Sequence, residues 1–205
     1  MYRLIVLLLV SSKLLSSNVY GQSTLQQSLL KVASVAEAEQ FVRDHPPLQA
    51  SLRVLSQSSD TTATDRQLYR LAVGEVRSIG QQTYKIIADT TSYAFRASYI
   101  YLDGSQMSVA RIDSLRRLIL RRYAAGTAFE QLADTYSMDE NKNHGDLGFF
   151  PAGRMVAPFE QAVRSHVCGE VFTVDVPNNK WYYVVKKTAP DQVTRLLTVL
   201  QVNGP

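Results

Sequence analysis

Gly145-Asp146-Leu147-Gly148-Phe149-Phe150, then Met155-Val156-Ala157-Pro158-Phe159-Glu160, then Gly169-Glu170-Val171 form the stretch on which the fold turns. In order it reads as a loop, a strand edge, a helix start and a helix stop. Asp146 between two glycines is placed to fix a turn through backbone hydrogen bonds. Pro158 suits the first turn of a helix, because its fixed φ is already helical and its missing N–H has no partner to lose there. That helix carries Phe159, Ala162 and Val163 on to Gly169.

Outward from this stretch the pattern stays regular. Upstream, Ser98-Tyr99-Ile100-Tyr101-Leu102 is β-branched and aromatic, is closed by Asp103-Gly104, and reads as a central strand. Ile112, Leu115, Ile119 and Tyr123 recur on one helical face, with Arg117 and Arg121 on the solvated side. Gly126 stops that helix. Thr127 with Glu130 reads as a capping box opening the next one, whose buried stripe is Phe129, Leu132, Ala133 and Tyr136. Downstream, Val171–Val176 and Trp181–Val185 are strands joined by a Pro177-Asn178-Asn179 turn. The order β-α-α-α-β-β over about ninety residues is an α+β arrangement, an antiparallel sheet flanked by helices.

These elements and their punctuation resemble the parvulin-type (PpiC or rotamase) peptidyl-prolyl cis-trans isomerases across residues 97–188, with the domain taken as 96–189. The resemblance rests on Gly126-x-x-Phe129-x-x-Leu132-Ala133, Tyr136-Ser137, the Gly-Asp-Leu-Gly turn, Met155, Phe159-Glu160 and Gly169-Glu170-Val171 in matching order. It implies an apolar proline pocket made of Leu147, Met155 and Phe159. It also implies a polar group behind the pocket, a cysteine or aspartate flanked by two histidines. Asp139, two residues after Ser137, matches the acid, but Tyr99 and Tyr183 stand where the histidines are expected. A phenol donates a hydrogen bond as an imidazole does, so a Tyr-Asp-Tyr network is chemically sound. Its pKa near 10, however, removes any titration near neutrality.

The N-terminal part reads as a smaller α/β extension. Leu25, Leu29, Val32 and Ala36 recur at helical spacing in 22–47, where Ser34 and Glu37 form a capping box and Pro46-Pro47 ends the run. Leu52–Leu55 alternates like a strand, Ser56–Asp65 is loop-like in composition, Gln67–Val73 is a short helix and Tyr84–Ile87 a strand. Val73-Gly74-Glu75-Val76 before Tyr84-Lys85-Ile86-Ile87 echoes Cys168-Gly169-Glu170-Val171 before Trp181–Val185. Residues 48–95 are therefore expected to be a shortened, degenerate parvulin-like unit, or a chance likeness. Leu196–Val202 is a last strand within 190–205.

Arg3 followed by the apolar run Leu4–Val10, with Val19-Tyr20-Gly21 before Gln22, reads as a signal peptide over residues 1–21, too short to span a bilayer. The expected location is exported, either periplasmic or secreted, with no integral membrane segment in the mature chain. Setting aside Arg3 and Lys13 takes the 22 basic side chains to 20 against 18 acidic ones. That excess does not point to nucleic acid. The lone Cys168 cannot form an internal disulfide and reads as a small packed residue. His45, His144 and His166 lack metal-ligand spacing, so no metal or cofactor is expected; of the three, only His144 lies near the expected pocket. No basic cluster marks the pocket mouth for phosphorylated substrates. Two functions follow. One is an isomerase acting on unfolded or newly translocated polypeptides with X-Pro bonds. The other is a chaperone or peptide-binding module that kept the groove and lost turnover. The oligomeric state is left open.

Overall fold

A computed structural model describes residues 24–59, 62–140 and 143–203; the expected signal peptide lies outside them. The chain divides into two compact units, one running to Thr90 and resuming at Arg195, the other Thr91–Thr194. These boundaries fall five residues outside the expected 96–189, and most of the last strand belongs with the N-terminal unit.

In the N-terminal unit, residues 24–30 form α1 and Val35–Asp44 form α2, opened by the Ser34–Glu37 capping box. The buried Lys85 ammonium donates to the carbonyls of Leu29 and Leu30, satisfying the end of α1. After a 3₁₀ turn at Pro46–Leu48 come β1 (Ser51–Ser56), α3 (Ala63–Leu68), β2 (Val76–Ile79) and the first part of β3 (Gln82–Asp103). Helix α3 starts earlier than expected, because Thr62 and Asp65 make a capping box inside the segment read as loop. Strand β7 (Gln192–Asn203) lies between β1 and β3.

Strand β3 is one 22-residue strand where two were expected. The linking Thr90, Thr91, Tyr93 and Phe95 are β-branched or aromatic, and no Gly or Pro interrupts them.

The second unit is an antiparallel sheet in the order β4-β3-β6-β5, with helices on both faces. Its other elements are α4 (Val109–Ala124), α5 (Phe129–Tyr136), β4 (Asp146–Pro151), α6 (Ala157–Ser165), β5 (Val171–Val176) and β6 (Trp181–Lys187). The α+β class therefore holds. The observed order is β-α-α-β-α-β-β, because the Gly-Asp-Leu-Gly segment pairs with β3 as a strand of its own.

Alternation along β3 and β6 divides the core. Ile100, Leu102, Tyr182 and Val184 pack with Ile112 and Ile119 of α4 and Phe129 and Leu132 of α5. Phe95, Ala97 and Val185 turn the other way, onto Phe159 and Val163 of α6. Tyr99, Leu147, Met155 and Tyr183 join this second layer.

Three local expectations are corrected. Thr127 does not cap α5: Ala128 occupies the N-cap without a side-chain bond, since the helix begins one residue too late for Thr127. Helix α6 stops at Ser165 rather than Gly169, with His166 already extended. Cys168 consequently sits in a surface turn and is exposed, not packed.

The echo between the two halves extends to the backbone. Gly74 and Gly169 both have left-handed φ, of +89° and +96°. Gly74 N–H donates to Ile86 and Ile86 N–H to Glu75; Gly169 N–H donates to Lys187 and Lys187 N–H to Glu170. The carboxylates of Glu75 and Glu170 each accept the N–H three residues back, from Ala72 and Val167.

Candidate functional site

Everything around the site lies in the second unit. On β3, residues two apart share a face, so Tyr99 and Tyr101 point the same way. Trp181 and Tyr183 do so on the adjacent β6, where Tyr101 pairs with Tyr183. Leu147 arrives from β4, Phe159 from α6, and Arg154, Met155 and Val156 from the segment just before α6. With Asp139 these ten residues line an open cavity of about 460 Å³. The three residues expected to hold proline and the three expected polar ones thus converge. Leu147 and Met155 are half-buried, whereas Phe159 is 4% exposed and forms the floor.

Asp139 is fixed by the turn that ends α5. Ser137 Oγ accepts from Tyr101 N–H at 3.0 Å and donates to Asp139 Oδ1 at 2.9 Å. Met138 N–H closes the turn on the Tyr101 carbonyl at 2.9 Å. The Tyr99 hydroxyl donates to the other carboxylate oxygen, Oδ2. The network is therefore Tyr99–Asp139–Ser137.

Among the described residues, Tyr183 makes no hydrogen bond to Asp139, which departs from the symmetric Tyr-Asp-Tyr arrangement. Its ring instead packs against Phe159, Tyr101 and Tyr99, with centroids 5.3, 5.5 and 5.9 Å away. Burial, with Tyr101, Tyr99 and Asp139 nearby, pushes its hydroxyl up to about 12. Tyr101 is raised in the same direction, chiefly by burial and then by Asp103 and Asp139. Burial therefore favours the neutral phenol at both Tyr101 and Tyr183.

Asp146 does its expected turn work, accepting from Gly148 N–H at 2.9 Å. It also pairs with Arg96 at 2.7 Å, a partner from β3 that no local pattern predicts, and that bond holds its carboxyl below the usual range. His144 does not line the cavity. It pairs with Asp134 on the surface at 2.8 Å.

Four lining residues were missed. Tyr101 and Trp181 were recoverable from strand alternation with Tyr99 and Tyr183. Arg154 and Val156 were not, since nothing in the pattern says which way a residue ahead of a helix points. Among the described residues, no three His, Cys, Asp or Glu side chains are grouped to hold a metal.

The PPIC-type PPIase domain matches residues 81–191, more than half of the chain. The chain belongs to the PPIC-type PPIase family. A foldase protein PrsA from Oceanobacillus iheyensis is 27% identical to this family member over 176 residues, 75% of this chain and 55% of its own. PrsA from Halalkalibacterium halodurans is 35% identical over 95 residues, 45% of this chain and 28% of its own. The PPIC-type chain thus spans about half or less of these curated relatives.

Among solved structures, PrsA from Bacillus subtilis is 29% identical, with 47% of this chain and 35% of that one covered at a TM-score of 0.39. NmPin, the parvuline of Nitrosopumilus maritimus, is 28% identical, with 48% and 98% covered at the same score. All six site residues of the sequence reading fall inside the PPIC-type match.

Proposed function

We propose that this chain is a peptidyl-prolyl cis-trans isomerase that assists the folding of exported proteins, acting on unfolded or newly translocated polypeptides. The observation that carries this reading is one open apolar cavity, inside the PPIC-type match, that holds Leu147, Met155 and Phe159 over the Tyr99–Asp139–Ser137 network. The barrier to rotation, about 18–20 kcal/mol, comes from amide resonance. A twisted amide carries less charge separation than a planar one, so an apolar pocket favours it over the ground state. Leu147, Met155 and Phe159 grip the proline ring, while Asp139, oriented by Tyr99 and Ser137, polarises the site. Tyr183 contributes a neutral phenol and an aromatic wall. No covalent step or cofactor is required.

The Arg3–Val10 pattern supports export to a periplasmic or secreted location. No described helix is long and apolar enough to cross a membrane. The matched hydrogen bonds at Gly74 and Gly169 support reading 48–95 as a shortened, degenerate parvulin-like unit.

The test is the cis-to-trans rate of X-Pro peptides with the purified chain, beside Asp139→Ala and Met155→Ala. A rate above background that both substitutions lower supports the isomerase. A folded chain that accelerates no peptide yet suppresses client aggregation would make it a peptide-binding chaperone. Tyr183, unbonded to Asp139, is the observation on the side of that second reading.

A further inference from the structure

The cavity holds a cation that the isomerase chemistry does not use. Arg154 lines it and is exposed. Four arginines are ion-paired, Arg77 with Glu75, Arg96 with Asp146, Arg116 with Asp175 and Arg195 with Asp89, but none of these lines the cavity. Among the described residues, the Arg154 guanidinium makes neither an ion pair nor a hydrogen bond. The one carboxylate lining the cavity, Asp139, is already engaged by the hydroxyls of Tyr99 and Ser137.

The position of Arg154 is built rather than incidental. Its N–H closes a turn on the Pro151 carbonyl at 3.3 Å. Within that turn Gly153, at φ +83°, donates its N–H to the carboxylate of Glu160 at 2.8 Å. Glu160 is itself 8% exposed, so α6 holds the turn from beneath. The backbone of Arg154 is thereby set one residue before Met155, with both residues lining the cavity. A guanidinium offers five donors and a permanent charge. At the rim of an apolar cavity its field is screened less than over open surface.

We propose that Arg154 is a specificity-determining residue that selects peptides with an acidic side chain adjacent to the proline. This rests on the isomerase reading for its substrate class, but its charge preference is separately measurable. Trp181, the only tryptophan of the chain, lines the same cavity and reports occupancy by its fluorescence.

The experiment compares Ala-Glu-Pro-Phe, Ala-Ala-Pro-Glu, Ala-Ala-Pro-Phe and Ala-Lys-Pro-Phe. Each is titrated against the wild-type chain, Arg154→Gln and Arg154→Glu, reading kcat/KM and Trp181 fluorescence. At least one glutamate peptide is expected to exceed the lysine peptide by about fivefold at low salt, the range of a rim ion pair. Arg154→Gln is expected to collapse that spread and Arg154→Glu to invert it. Equal behaviour of all four peptides, or a spread unchanged by both substitutions, would overturn the proposal. If no peptide is turned over, the isomerase reading fails alone; tighter glutamate-peptide binding that depends on Arg154 would still support the selectivity. No turnover together with no fluorescence response to any peptide would overturn it.

Discussion

Tyr99 and Tyr183 look equivalent in the sequence, one on each of two neighbouring strands, yet only Tyr99 bonds Asp139. Strand alternation predicts that both rings share a face. The reach of a hydroxyl depends on side-chain rotamers set by Phe159 and Tyr101, which one chain's pattern does not encode. The two tyrosines should therefore respond differently. Tyr99→Phe removes a donor to a charged acceptor and is expected to lower kcat/KM roughly tenfold or more; Tyr183→Phe should cost less than about threefold by the same reasoning. Equal losses in peptide isomerisation assays would restore the symmetric network.

A pH consequence follows from the Tyr183 hydroxyl at about 12. Its folded value lies above the ordinary phenol value of about 10, so the proton is held more tightly in the fold. Its contribution to stability is fully present below pH 10 and is lost as pH rises from there through about 12. Ultraviolet titration should show a phenol still protonated at pH 10.5 in the wild type and missing in Tyr183→Phe. Tyr183 ionising at or below pH 10 would contradict the buried placement.

At the scale of elements, the stretches read most accurately are those with local punctuation. Val171–Val176 and the Pro177-Asn178-Asn179 turn were legible to the residue, since a β-branched run ends at a proline that cannot continue it. Helix starts depended on capping geometry: the Ser34–Glu37 box was read correctly, the Thr62–Asp65 box was missed, and Thr127 was credited with a cap it does not make. The Gly145–Phe150 stretch was read as a turn with a strand edge but left out of the order of strands, because its pairing with β3 is a long-range fact.

Buried Arg116 was equally invisible. It lies on α4 beside the exposed Arg117, yet donates to the carbonyls of Val174 and Tyr183 at 2.7 and 3.1 Å. Arg116→Ala would leave those carbonyls without this donor and is expected to destabilise the domain by about 2–3 kcal/mol in denaturant titration; Arg117→Ala should be near neutral. Gly145 tests the junction between α5 and β4. At φ +77° a Cβ there would meet the Tyr99 carbonyl and come within 2.9 Å of the Ala133 Cβ. Gly145→Ala is expected to cost about 2–4 kcal/mol. An unchanged unfolding midpoint would mean that this close approach is not what the glycine serves.

For the whole molecule, the sequence made the α+β class and the convergence of Leu147, Met155, Phe159 and Asp139 readable, because those residues sit at fixed places in an ordered series of elements. It did not reveal that β3 runs unbroken for 22 residues, or that most of the last strand belongs with the N-terminal unit. Both depend on pairing between residues far apart in the chain. The proposed function requires the aromatic-walled cavity to turn X-Pro bonds despite tyrosines in place of histidines. Exchange NMR on a proline tetrapeptide with a substoichiometric amount of the chain tests this most directly. Uncatalysed isomerisation takes tens to hundreds of seconds, so no cis-trans cross-peaks form within a one-second mixing time. The account predicts that cross-peaks appear with the wild-type chain and fade with Asp139→Ala. A folded chain that binds the peptide and produces none would contradict it.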